Sequence, residues 1–196
     1  MVDVIDFQIS YFGEVVSAQA LGRYHKYWID KNLNIKNNHF DEHSRRTLDI
    51  KRRDLKEYSR GVSYFQPKLQ KLIEGIPAGL SVEISAFPSS KQGEHAPGLI
   101  LLIDKICRSN KNMINRDKVL RRTKTISKLA TGGDRSYVNQ LASLDYQAAG
   151  EKSKTKIILD DVATTGNSLI AGFSKIAEKS PGSVVYLIAL ARTASD

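Results

Sequence analysis

The residues of this chain best suited to chemistry lie between 157 and 172, in the stretch IILDDVATTGNSLIAG. Asp160 and Asp161 are adjacent carboxylates closing an apolar, strand-like run, and Thr164, Thr165, Gly166, Asn167 and Ser168 follow before a second apolar run begins. Glycine lets the backbone come close to a ligand. Thr and Ser place hydroxyls beside the unpaired N–H groups that every helix start offers, and an anion gains from those donors and from the helix dipole. Two neighbouring carboxylates would repel that anion. They suit the vicinal hydroxyls of a sugar, with the phosphate held a few ångströms further on, so the run as a whole reads as a site for a phosphorylated ribose. A plainer alternative remains, in which Asp161 or Thr164 caps a helix and Thr-Thr-Gly is a turn. A Walker-type loop is excluded, because no lysine follows the glycine.

Such a site needs a strand that ends at the carboxylates and a helix that starts at the glycine. After residue 79 the apolar pattern supplies both, alternating strand-like runs (80–87, 118–120, 157–161, 184–190) with helix-like ones (98–107, 135–144, 166–179). That rhythm predicts βαβ units, hence an α/β, Rossmann-like parallel sheet flanked by helices, with ligands at the carboxyl ends of its strands. Before residue 76 the stretches 14–29, 41–58 and 65–73 carry apolar residues at mixed three-and-four spacing and predict amphipathic helices. Residues 4–9 alternate and predict a short edge strand. The expected organisation is a mostly helical hood or appendage over 1–75 and an α/β core over 76–196, together small enough to form one domain.

Composition narrows the function classes. With 196 residues and 41% apolar content the chain can bury a sizeable core. The single cysteine, Cys107, excludes an internal disulfide. No charged-then-apolar leader is seen and no apolar run approaches the roughly 20 residues of a membrane span, so a cytoplasmic protein with no membrane partner is expected. The formal charge of +9, from 30 Lys and Arg against 21 Asp and Glu, favours anionic partners. Its clusters, Arg45-Arg46, Lys51-Arg52-Arg53 and Arg121-Arg122 with Lys124, keep nucleic acid open as a partner through the basic surface. A homodimer is equally open.

The loop of residues 160–168 resembles the phosphoribosyl pyrophosphate (PRPP) signature of the type I phosphoribosyltransferases. The resemblance implies that Asp160 and Asp161 hold the ribose hydroxyls and that Thr164, Thr165, Gly166, Asn167 and Ser168 hold the 5-phosphate. It implies Mg²⁺ arriving with PRPP near Asp160 and Asp161, not a metal held by the protein alone. It also implies a pyrophosphate loop, for which Ser89, Ser90 and Lys91 stand after the run 80–87, and a flexible flap. RRTKTISKLATGGDRSYVNQ, between 121 and 140, is the candidate flap, with Arg121, Arg122 and Lys124 as its cations and Arg135 joining Asp160 and Asp161 at the chemical step. Within the family the likeness is closest to the ComF group, linked to DNA uptake, through Thr125, Lys128, Leu129, Arg135 and Asn139 and through the closing run 184–193. It covers about 80–193. It departs at Gln92-Gly93-Glu94-His95, where basic and aromatic residues are usual, and it lacks the cysteine-rich metal knuckle of many relatives. The implied activity is transfer of a phosphoribosyl group to an acceptor with release of pyrophosphate. The alternatives are a non-catalytic sensor of PRPP or a nucleotide, and a nucleic-acid-binding protein of the same group.

The remaining chemistry-bearing residues read as structural. His25, His39, His43 and His95 lack metal-ligand spacing with cysteine or one another, and although His39 and His43 are i and i+4, Phe40-Asp41 between them reads as a helix entry and not a ligand face. Tyr24, Tyr27 and Trp28 are expected to pack a helix onto the sheet, with base stacking as the alternative. Cys107, among Leu101, Leu102, Ile103 and Ile106, is expected to be an inert thiol.

Overall fold

The computed structural model describes residues 4–11, 13–77, 79–126 and 136–194. Its strands are β1 (Ile5–Tyr11), β2 (Glu14–Ala20), β3 (Arg23–Tyr24), β4 (Trp28–Asp30), β5 (Ile35–Lys36), β6 (Val82–Ala86), β7 (Met113–Asn115), β8 (Leu120–Arg122), β9 (Leu144–Tyr146), β10 (Thr155–Ala163) and β11 (Val184–Thr193). The helices are α1 (Glu42–Ile50), α2 (Leu55–Ile73), α3 (Pro97–Ser109), α4 (Tyr137–Ala142) and α5 (Asn167–Lys179). The central sheet runs β1-β2-β11-β10-β6-β7, with β3 also on β11. Every pairing in it is parallel except that of β1 with β2. The molecule is therefore α/β, with a mixed, mostly parallel sheet between helical layers, compatible with a Rossmann-like fold.

Strand β10 shows why. Ile157, Ile158 and Leu159 are all fully buried, as a strand covered on both faces requires. Successive side chains leave a strand on opposite faces: Ile157 and Leu159 pack with Ile50, Phe65, Leu99 and Leu102 of the α1, α2 and α3 layer, and Ile158 packs with Leu169, Ile170 and Ile176 of α5. From β6 the chain crosses through α3 to β7 on one side. From β10 it crosses through α5 to β11 on the other, using the opposite helical layer. The two connections diverge between β6 and β10, and in such sheets that divergence marks the crevice at the carboxyl ends of the strands where a ligand usually sits.

The edge strand expected over 4–9 is β1, but the next stretch differs from expectation. The stretch 14–29 is not a helix but β2, β3 and the start of a small β4–β5 hairpin, and β2 with β1 extends the central sheet beyond β11. Val16, Ala18 and Ala20 alternate toward the α5 layer, and Gly22 interrupts any helix with φ +154°, at a point where a Cβ would lie 2.6 Å from the His43 ring. The helical spacing came from alanines that serve a strand equally well. Tyr27 accordingly packs on hairpin neighbours, edge-to-face with Trp28 at 4.8 Å and with Phe40 at 5.0 Å, and not on a helix–sheet seam. The stretch 41–58 divides into α1, capped by Asp41, and the start of α2, capped by Asp54. The strand expected at 118–120 is β8, paired antiparallel with β9 outside the central sheet. The sheet strand of that region is β7, which the apolar pattern did not reveal.

No helix among the described residues is long and apolar enough to cross a membrane.

Candidate functional site

Asp160 and Asp161 are the sixth and seventh of the nine residues of β10, towards its carboxyl end. Asp160 is 7% exposed and accepts a hydrogen bond from the Asp161 backbone N–H at 2.8 Å. The Asp161 carboxylate accepts from the Val162 N–H at 2.6 Å and meets Lys51 Nζ at 3.0 Å, with 17% of the aspartate side chain and 48% of the lysine side chain exposed. Lys51 is the residue at the C-terminal cap of α1, where a cation also suits the helix dipole. Asp161, with a smaller contribution from Asp160, raises the lysine's pKa against the effect of burial, so the ammonium stays charged throughout the neutral range.

The chain then turns into α5. Thr164 and Thr165 are exposed. The Thr164 hydroxyl is 2.9 Å from that of Thr193 on β11, and the Thr165 hydroxyl accepts from the Asn167 N–H at 3.4 Å. Gly166 is the N-cap, in the left-handed region at φ +84°, with no side-chain cap on the helix. An added Cβ there would stand 2.7 Å from Ile9, so glycine is demanded by conformation and by space together. Asn167 and Ser168 occupy the first turn. The N-cap residue itself supplies no side chain, and Thr164, Thr165 and Ser168 bring three hydroxyls to the turn that starts the helix. On β11, beside Ala163, Arg192 lays its guanidinium 4.5 Å from the centre of the Phe7 ring, and its Nη1 is buried without a hydrogen-bond partner. Neither that arginine nor Thr193 was singled out from the sequence as a site residue, and only the strand register places them beside the loop.

The loop after β6 runs along the other side of the crevice. The Phe87 N–H donates to Leu159 O at 2.8 Å, tying the loop to β10. Ser89 and Ser90 are half-buried and engaged through their backbones: the Ser89 carbonyl accepts from Arg122 Nε at 3.1 Å, and the Ser90 carbonyl accepts from the Ile126 N–H at 2.9 Å. Lys91 is exposed and stands 3.9 Å from Glu94, which in turn meets Arg53 at 3.2 Å. The segment 51–53 therefore touches the carboxyl end of β10 through Lys51 and the loop after β6 through Arg53.

The basic segment 121–124 divides. Arg121 is half-buried on β8, and Lys124 is exposed. Arg122 is 2% exposed, bonded to Ser143 Oγ and to the Gln140 side chain and carbonyl, with its guanidinium 5.3 Å from the centre of the Phe87 ring. It fastens β8 to α4 and the β6 loop and is not a cation on a free flap. Lys128, Leu129 and Arg135 lie outside the described residues. Asn139 sits in α4, where its N–H donates to the Ser136 cap at 3.4 Å.

Other candidates resolve into structure. His43 Nε2 lies 3.0 Å from the Leu190 carbonyl. Cys107 is half-buried with its thiol pushed up to about 11 by burial, so it stays protonated and unreactive at neutral pH. A shallow groove over α1 and α2 is lined by Glu42, Arg46, Arg60 and Tyr64 among others. None of the strand-end residues lines it, and its Arg46 is held by Glu42 at 3.3 Å and Asp49 at 2.9 Å. Among the described residues no three His, Cys, Asp or Glu side chains stand together as metal ligands.

No protein-family model and no curated protein matches this chain.

Proposed function

We propose that the crevice binds a ribose phosphate of the PRPP type, and that the chain is a type I phosphoribosyltransferase-like protein that transfers the phosphoribosyl group to an acceptor. The observation that carries this reading is the sequence of groups along one strand end. Asp160 and Asp161 are followed within a few residues by Thr164, Thr165 and the left-handed Gly166, which open α5. Carboxylates accept hydrogen bonds from sugar hydroxyls, and a helix start flanked by hydroxyls suits a phosphate through its N–H groups and dipole. Both stand at the point where the sheet's connections diverge.

In the reaction the C1–oxygen bond to the diphosphate breaks, the diphosphate leaves with the electron pair, and the acceptor nitrogen bonds to C1 and loses its proton. Asp160 and Asp161 orient the ribose and stabilise positive charge as it develops there. The phosphate loop fixes the far end of the sugar, so the contribution of the protein is positioning and field. Mg²⁺ would ride on diphosphate and ribose oxygens beside Asp160 and Asp161, consistent with its preference for oxygen ligands and retained water, and would neutralise charge on the leaving group.

Glu94 favours a second reading. A carboxylate in the loop expected to meet pyrophosphate, beside Lys91 and Arg53, suits a protein that binds the ribose phosphate without turning it over.

Calorimetric titration with PRPP and Mg²⁺, wild type beside Asp160→Asn/Asp161→Asn, tests the pocket. Micromolar binding, about −8 kcal/mol, lost in the variant supports it, and no binding by wild type overturns it. Pyrophosphate release in the presence of candidate acceptor bases then separates transferase from sensor.

A further inference from the structure

We propose that the turn between α1 and α2, through Lys51 and Arg53, is the clamp for the diphosphate end of the ligand, and that these cations are held in readiness by carboxylates that the ligand displaces. The inference rests on the PRPP reading of the crevice and adds to it a binding element from the N-terminal part of the chain.

Three observations lead there. Lys51 Nζ is 3.0 Å from Asp161, and Arg53 is 3.2 Å from Glu94, so one short turn reaches the carboxyl end of β10 and the loop after β6 at once. Each of these cations is substantially exposed, with 48% of the Lys51 and 77% of the Arg53 side chain open to water, so each can exchange partners without opening the core. Lys91, the cation expected in this role from the sequence, shares Glu94 with Arg53 and stands at a longer 3.9 Å.

The shape of the ligand then decides the direction. In a ribose phosphate the 2,3-diol lies between the C5 phosphate and the C1 substituent. With the C5 phosphate at the start of α5 and the diol on the strand-end aspartates, C1 points away from α5. The α1–α2 turn lies on the far side of β10 from α5, because Ile50 belongs to the opposite core layer from Leu169 and Ile170. A cation within 3.0 Å of a carboxylate that grips the diol is within reach of a diphosphate on the neighbouring carbon. Diol hydroxyls donate to Asp161 and replace the lysine there, while the diphosphate offers Lys51 and Arg53 stronger, charge-assisted acceptors.

The test compares two sugar phosphates that differ at C1. PRPP with Mg²⁺ and ribose 5-phosphate are titrated into the full chain as wild type, Lys51→Met, Lys51→Arg and Lys56→Met, the last removing the same charge from the exposed start of α2. Thermal melts confirm that each variant is folded. The expected result is that Lys51→Met weakens PRPP about tenfold or more while ribose 5-phosphate changes less than about twofold, that Lys51→Arg retains most PRPP affinity, and that Lys56→Met changes neither. Equal losses for both ligands in Lys51→Met, an unchanged PRPP affinity, or an equal loss in Lys56→Met overturns the clamp while leaving the ribose-phosphate reading intact. Wild type that binds neither compound overturns both.

Discussion

Strands β6 and β10 carry a charged cluster at each end, and the two clusters are built differently. At the amino end Lys156 and Glu83 are direct partners in the β10–β6 register, with their side chains each 3% exposed. Lys156 Nζ donates to Glu83 at 3.0 Å and to the Ser153 carbonyl at 2.9 Å, and meets Glu151 at 3.3 Å. Glu151 accepts from Tyr146 at 2.8 Å and from Ser180 at 2.7 Å. Burial works against the charge on Glu151, but those hydrogen bonds and Lys156 prevail and hold its pKa below the usual range. At the carboxyl end Lys51, Arg53 and Glu94 are exposed, and the two cations meet separate segments, Lys51 the end of β10 and Arg53 the loop after β6. A buried charge is tolerated only when its neighbours answer it completely, so the first cluster is a staple. The second has charges left in water and a helix start whose N-cap glycine offers no side chain, which is the condition of groups that exchange partners with a ligand.

The largest effect expected from this contrast is at the staple. Lys156→Met leaves the buried Glu83 and the half-buried Glu151 without their cation and lowers stability by about 3–5 kcal/mol, measured by urea unfolding. Adding Glu83→Met recovers part of the loss. PRPP affinity per folded molecule stays within about twofold, and a variant that kept its stability but lost binding would reverse the assignment of the two ends. Gly166→Ala comes next. It forces φ +84° on a residue with a Cβ and presses on Ile9, for a cost of about 1–3 kcal/mol together with weaker binding, because the helix start itself moves. Gly166→Ala/Ile9→Ala relieves the contact but not the dihedral, so only part of the stability returns.

A smaller effect comes from acid. Burial lowers the pKa of His43 and His95 in the folded chain below the ordinary 6.5. The unfolded chain therefore takes up protons first as pH falls. The stability tied to these neutral imidazoles is complete above about 6.5 and is lost as pH drops from there through the folded values. The melting temperature should start to fall below pH 6.5, before the carboxylates titrate, and the slope should be shallower in His95→Gln.

How much of this was legible in the sequence follows from the same physics. The β10–α5–β11 unit was legible because Ile157, Ile158 and Leu159 form an unbroken apolar run, Gly166 marks the helix start and α5 has a full apolar stripe. Local order there is fixed by residues close in the chain. The β1–β2 hairpin was only half legible: the alternation of 4–9 showed β1, while Ala18 and Ala20 satisfy a helix pattern as readily as a strand. β7 is three residues long, too short for any period to show. For the site, the carboxylates and the hydroxyl-glycine loop could be picked out as one unit. Lys51 was visible only as part of a basic cluster, since nothing local says that α1 will end beside β10. Arg122 read as a mobile cation because its partners Gln140 and Ser143 lie beyond the intervening loop, and its burial is a property of the fold.

The smallest change in stability should come with a change in binding whose sign separates the two ends most sharply. Glu94 is 46% exposed and shared between Arg53 and Lys91. Exposed pairs of this kind contribute at most about 1 kcal/mol, so Glu94→Gln should move the urea midpoint hardly at all. If Glu94 holds Arg53 in waiting, its removal frees that cation and takes one negative charge from the crevice, and PRPP should bind a few-fold tighter, with ribose 5-phosphate unaffected. Arg53→Gln should be as silent in stability and should weaken PRPP. A carboxylate that served as a fixed part of the binding surface would give the opposite sign, weaker binding on neutralisation. Titrating both variants at low and physiological salt checks the cause, because interactions between exposed charges shrink with ionic strength and the gain in Glu94→Gln should shrink with them.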